Sequence, residues 1–349
     1  MRTSVPNVSG ARCFSSAIRM VVIALVLTQA TGCYYWQAAR GQLALTQARE
    51  PIDVVLEDAT LPQTTRRKLE VARDAVAFAH RELDLPDNGS YRHFVALDRD
   101  YVVVNIFATP EFSLTPKRWC YPFAGCLSYR GYFKEAAAQR HSQRLSEQGN
   151  DVHLSKVPAY STLGRLKDPI LSTMLVRSEA GVASLLFHEL AHQKIYVSGD
   201  TAFNESFATA VANIGIKRWR QARSIEASDA LVANRALRKE AFRLIGLLRD
   251  DLTRIYEADT SEATKRREKA DRFDQFAAAW KKAGLRSKPP MSNAALVPLA
   301  VYNDVAPAFE ALFLDCGESF DCFYERVEHL AEQAPDERNK ALDTLMPDS

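Results

Sequence analysis

Apolar and polar positions change rhythm along the chain. From Glu179 onward apolar residues recur every three or four positions, the spacing of one helix face. That spacing predicts helices over Glu179–Val197, Thr201–Arg223, Ala227–Glu257 and Ser261–Gly284, with shorter ones up to the C-terminus. Upstream, Tyr34–Arg49 and Thr64–Leu83 read the same way, and the turn-rich Pro86-Asp87-Asn88-Gly89 ends the second. Between these blocks the period shortens to two. Tyr101–Phe107 (YVVVNIF) is rich in β-branched and aromatic residues, Leu127–Phe133 (LSYRGYF) alternates, and Asp151–Val157 is a weaker third strand. A helical pattern over Phe133–Gln148 separates the last two. The reading is α+β and predominantly helical: a small mixed sheet packed on helices, then an all-helical part over about residues 225–349.

The first 32 residues break the pattern. They carry Arg2, Arg12 and Arg19 and no acid, then the apolar run MVVIALVLTQ and small residues. A basic start, a short apolar run and small residues predict a secretory signal. The run is short of the roughly 20 residues that span a bilayer; a membrane helix borrowing flanking residues is the rival reading. Ala30-Thr31-Gly32-Cys33 resembles a bacterial lipobox, with Ala30 where Leu is commoner. Cys33 then becomes the lipid-carrying first residue of the mature chain. Tyr34 follows it rather than Asp, which favours the outer membrane and a periplasm-facing position in the cell envelope. Two acyl chains on one cysteine give stable anchoring. The expected divisions are a signal at 1–32, an anchor-proximal helix and linker at 33–60, and a catalytic domain at 61–349. Tyr34, Tyr35 and Trp36 either rest at the lipid interface or pack against the body of the protein.

Charge and cysteines refine this. The net charge of +2 becomes about −1 without the signal, as Lys and Arg fall from 45 to 42 against 43 acids. Nothing there favours nucleic acid, and the run Lys265–Lys269 reads as a solvated helix face. Cys120 with Cys126, and Cys316 with Cys322, each bracket a short loop and are disulfide candidates in an oxidising compartment. Four cysteines allow three pairings, which spacing alone does not resolve.

Of seven histidines, two fall in LLFHELAHQ, Leu185 to Gln193. Positions i and i+4 share a helix face, so His188 and His192 can aim two ring nitrogens at one metal ion. Glu189 lies about 100° round the axis and reaches the same cavity from the side, as a base beside a metal must. This is the H-E-x-x-H spacing of zinc peptidases. The rival is two core histidines satisfied by backbone carbonyls. A catalytic zinc usually takes three protein ligands. Ile195 and Ser198 exclude the continuation that supplies Gly and a third His. Instead the chain turns at Val197-Ser198-Gly199-Asp200 into a new helix, which brings Glu205 back opposite His192. Asp200 is the rival third ligand, although its position suits a helix N-cap.

H-E-L-A-H followed by N-E-S-F-A resembles the gluzincin arrangement. More narrowly, the chain resembles a bacterial family of predicted zinc aminopeptidases, many of them lipoproteins. The likeness runs through YYWQAARGQL, LPDNGSY, PEFSL, KRWCYP, YRGYF, VPAYSTLG, FHELAHQ and TAFNESFATAV. It implies a zincin-like metallopeptidase fold with the sheet against the active-site helix. It also implies one Zn2+ held by His188, His192 and Glu205, and Glu189 as base. Tyr160 and Tyr302, then Tyr256, are the tyrosines that could steady the oxyanion formed at the scissile carbonyl. Peptide substrate is expected to add as a strand along Leu127–Phe133, touching Tyr129 and Gly131. Gluzincin aminopeptidases carry a G-x-M-E-N stretch that binds the free amine. This chain lacks it, and Glu111 is the nearest substitute. The implied function is a zinc-dependent aminopeptidase, anchored by lipid. The alternatives are a zinc endopeptidase and a zinc-holding envelope lipoprotein that binds peptides or proteins without cleaving them.

Overall fold

The structure, a computed structural model, describes residues 34–121, 125–225, 229–300 and 305–346. It divides into two units, Met1–Ala48 and Arg49–Ser349. In the first, α1 covers residues 34–47 and exposes Tyr35, Trp36 and Leu43. The expected signal and lipid-carrying Cys33 lie outside the described residues, as does Tyr302. Among the described residues no helix is long and apolar enough to cross a membrane.

The second unit is built on helices. Residues expected to be a linker form β1 (Glu50–Pro51) and α2 (Ile52–Glu57) instead. Ile52 and Val55 are buried, which fixes this segment in the fold. α3 (Gln63–Glu82), α5 (Glu179–Lys194) and α6 (Thr201–Gln221) form the central layer. Phe78 of α3, Phe187 of α5 and Trp219 of α6 meet there with ring centroids 5.2–6.1 Å apart. α5 is apolar on more than one face because helices cover two of its sides. α7 (Asp229–Glu257) and α8 (Glu262–Lys282) pair around Leu248, Leu252, Phe273, Phe276 and Trp280. α9 (Asn293–Ala300), α10 (Ala306–Asp315), α11 (Phe320–Glu332) and α12 (Pro335–Thr344) complete the helical part. Phe309 and Phe323 of α10 and α11 seat against Phe207 of α6.

The expected single sheet is three small ones. β1 pairs antiparallel with β2 (His93–Val95), which pairs parallel with β8 (Ile170–Leu171). β3 (Val103–Pro110) is the centre of an antiparallel sheet, flanked by β6 (Arg130–Tyr132) and β7 (Asn150–Val157). Its main helical partners are α4 (Glu135–Glu147) and α9, rather than the histidine-bearing helix. The mixed sheet is the one that leads into α5, through β8 and a 3-10 turn over Ser172–Val176. β4 (Trp119–Tyr121) and β5 (Gly125–Leu127) form a hairpin. The alternation over Leu127–Phe133 is therefore split: Leu127 ends β5, and β6 is a sheet edge. Cys120 is bonded to Cys126 and Cys316 to Cys322.

Candidate active site

α5 opens on Ser178, whose hydroxyl accepts the Gly181 N–H at 3.2 Å. About three and four turns on, His188 and His192 share a face, with ring centroids 4.7 Å apart. α6 returns across that face after a short turn with two locks. Asp200 caps α6, accepting the Phe203 N–H at 3.0 Å, while its other oxygen takes the buried Arg338 guanidinium at 2.7 Å. Both carboxylate oxygens are thus engaged, which removes Asp200 as a ligand. Asn204 then clamps Val197 twice, donating to its carbonyl and accepting from its N–H, each at 2.8 Å. The hairpin β4–β5 leans on the same turn. Gly125 adopts φ +73°, and a Cβ there would come within 2.5 Å of the Ser198 hydroxyl.

The turn so fixed presents Glu205 to the histidines. His188 Nε2 lies 3.2 Å from Glu205 Oε2 and 3.2 Å from His192 Nε2; His192 Nε2 lies 3.6 Å from Glu205 Oε1. A tetrahedral zinc with bonds of about 2.0–2.1 Å sets its donors about 3.3–3.4 Å apart. The three side chains are grouped closely enough to hold such an ion. The donor set, two imidazoles and one carboxylate, is one that zinc accepts. His192 Nδ1 is buried without a partner, so that ring is held by packing and by its contacts at Nε2.

Charge at the site follows from burial and these contacts. Burial opposes protonation of His188, but the Glu205 carboxylate outweighs it and the pKa is raised. Burial alone would raise Glu205, yet the hydrogen bond from His188 and both histidines lower it. His192 falls to about 4, through burial and then the neighbouring His188. Glu189, on the adjacent face of α5, is pushed up to about 7, chiefly by burial, with Glu205 and Asp168 adding to it. A carboxyl poised near neutrality can take a proton and release it again.

The remaining predicted residues are spread out. Glu111 follows β3 and is held by the Arg266 guanidinium at 2.6 and 2.8 Å. Tyr256 donates to Asn293 at 2.8 Å and packs on the α7–α8 core. Tyr160 lies edge-on to Phe133, with centroids 5.8 Å apart. Tyr129 packs on Phe107 in the antiparallel sheet, and Gly131 of β6 is opposite Asn105 of β3. Two tyrosines not anticipated feel the site's charges instead. Tyr196 is raised by burial and by Glu205. Tyr91 is raised well above its usual range by burial and then by Glu189. Tyr196 follows the histidine helix by two residues, a signal that was available. Tyr91 carries none, because the charge it feels is 98 positions away.

No curated protein and no solved structure matches the chain. A family model does, over residues 33–342, nearly the whole of the described chain. On that match, the protein belongs to the family described as "Putative aminopeptidase".

Proposed function

We propose that the protein is a zinc-dependent peptide hydrolase, an aminopeptidase anchored by lipid on Cys33 and facing the periplasm. The observation that carries this reading is the convergence of His188, His192 and Glu205 on one point with Glu189 beside it. Family membership supports peptide as the substrate, and the match begins at Cys33, the expected start of the mature chain.

When bound, zinc would supply Lewis acidity toward the scissile carbonyl and the attacking water. His188 and His192 would offer it their Nε2 lone pairs, and Glu205 its negative charge. Glu189 takes the proton of the attacking water on its carboxylate and returns it to the leaving amine nitrogen. An extended peptide would add as a strand along Leu127–Phe133, beside Tyr129 and Gly131. Tyr196, close enough to feel Glu205, joins Tyr160 and Tyr302 as a donor for the oxyanion.

Replacement of Glu189 by Gln tests the reading. Hydrolysis of a mixed peptide pool should fall about a hundredfold or more while bound zinc is unchanged. A zinc-loaded wild type that cleaves nothing would instead favour the peptide-binding lipoprotein. One observation favours a second reading, cleavage of internal bonds. Glu111, the acid the sequence offered for a free amine, is bound by Arg266. Cleavage of N-terminally blocked peptides at rates matching free ones would select it.

A further inference from the structure

Tyr91 is held in an uncomfortable conformation at φ +62°, where a bulky side chain is rarely found. Its neighbours impose it. The Tyr91 N–H donates to the Asp168 carbonyl at 2.6 Å. The Asp168 carboxylate is itself buried and accepts the Ser161 hydroxyl and both the N–H and hydroxyl of Thr162, at 2.7–3.0 Å. On the other side Asn88 accepts the Ser90 N–H at 3.1 Å and donates to Gln193 Oε1 at 2.8 Å. Gly164, at φ +73°, lets this loop close on the helix, since a Cβ there would reach 2.8 Å from Gln193 Oε1. Glu189 and Gln193 are four residues apart, so they form one stripe of α5 beside the histidine stripe. Two segments, Asn88–Tyr91 and Ser161–Asp168, are thereby fastened over the Glu189 stripe.

The Tyr91 hydroxyl sits in this enclosure. The residue is 2% exposed, and its Oη has no hydrogen-bond partner. Ser161 and Gln193 lie nearby without completing a bond of normal geometry, and the charge of Glu189 acts on the hydroxyl. Among the described residues no protein donor is bonded to the Glu189 carboxylate either. A buried hydroxyl without an acceptor thus borders the stripe of Glu189, a part-buried acid without a protein donor, and a buried hydroxyl is seldom left unpaired.

We propose that Tyr91 is a positioning residue for the hydrolysis, its hydroxyl donating to the Glu189 carboxylate and fixing that base beside the metal ligands. This rests on the reading of Glu189 as base. The φ strain is retained by phenylalanine, so Tyr91→Phe removes the donor and little else. In the full chain loaded with zinc, kcat on peptides should fall about 10–100-fold, with KM within about twofold and zinc content equal. In a Glu189→Gln background the same substitution should have no further effect. An unchanged kcat, or an equal loss in both backgrounds, overturns the proposal. If Tyr91→Phe does not fold, 4-fluorophenylalanine at position 91, nearly isosteric with tyrosine and lacking the donor, replaces it in the comparison. If zinc-loaded wild type cleaves no peptide, the hydrolase reading fails and the pairing is judged by thermal unfolding of the four proteins. Losses that do not add uphold it; additive changes, or a Tyr91→Phe protein that melts higher than wild type, sink it.

Discussion

At the scale of single residues, neighbouring acids should fail differently when replaced. In the proposed reaction Glu189 moves a proton, so its replacement by Gln should remove turnover and spare metal. Glu205 supplies a donor atom 3.2 Å from His188, so Glu205→Gln should weaken zinc binding by more than about a hundredfold. Competition with a chromophoric chelator measures it, and wild-type affinity in that variant would refute the ligand set. These residues were legible in the sequence because helix geometry ties i to i+4, and a short turn ties one helix to the next. Tyr91 and Glu111 were not. Tyr91 feels the charge of Glu189 across 98 positions, and Glu111 meets Arg266 across 155. No local period reports such contacts.

At the scale of elements, the α5–α6 turn decides whether the site exists. Asn204 is buried and makes two hydrogen bonds to Val197. Its replacement by Ala leaves a part-buried N–H and carbonyl of Val197 unpaired, at a cost of about 1–2 kcal/mol. A melting point lowered by several degrees, together with weaker zinc binding, is the expected result. A variant with lowered stability and unchanged zinc affinity would show that the turn does not position Glu205. The helices were readable to within a few residues, since ten or more residues repeat an apolar stripe. The sheets were read less well. β1, β2 and β8 have two or three residues each, too few for any alternation, and depend on partners distant in sequence. The split at Ser128 and Tyr129 was hidden because both halves keep the same alternation.

At the scale of the whole molecule, stability should depend on pH through histidines outside the site. His141 on α4 has its pKa lowered to about 4, by burial first and then by Arg130, Arg144 and Lys117. His153 on β7 is also lowered by burial. In the unfolded chain each titrates near about 6.5. As pH falls below that value the unfolded state takes up protons that the folded state refuses, so stability present above about 6.5 is lost toward pH 4. For His141, which is only part-buried, solvent screening reduces this to about 1 kcal/mol between pH 7 and 5. Denaturant unfolding of metal-free protein should show the fall, and His141→Gln should reduce it; an unchanged slope in that variant contradicts the assignment. The predominantly helical α+β character was legible because apolar periodicity fills the second half of the chain, whereas the integration of residues 50–57 rests on two buried side chains, Ile52 and Val55. The proposed function converges on the His188, His192 and Glu205 cluster, and a crystal grown with zinc tests it most directly. Anomalous diffraction at the zinc edge should give one strong peak bonded at about 2.0–2.2 Å to His188 Nε2, His192 Nε2 and a Glu205 oxygen. A map with no peak there, and the Glu205 carboxylate turned from both rings, would contradict the account.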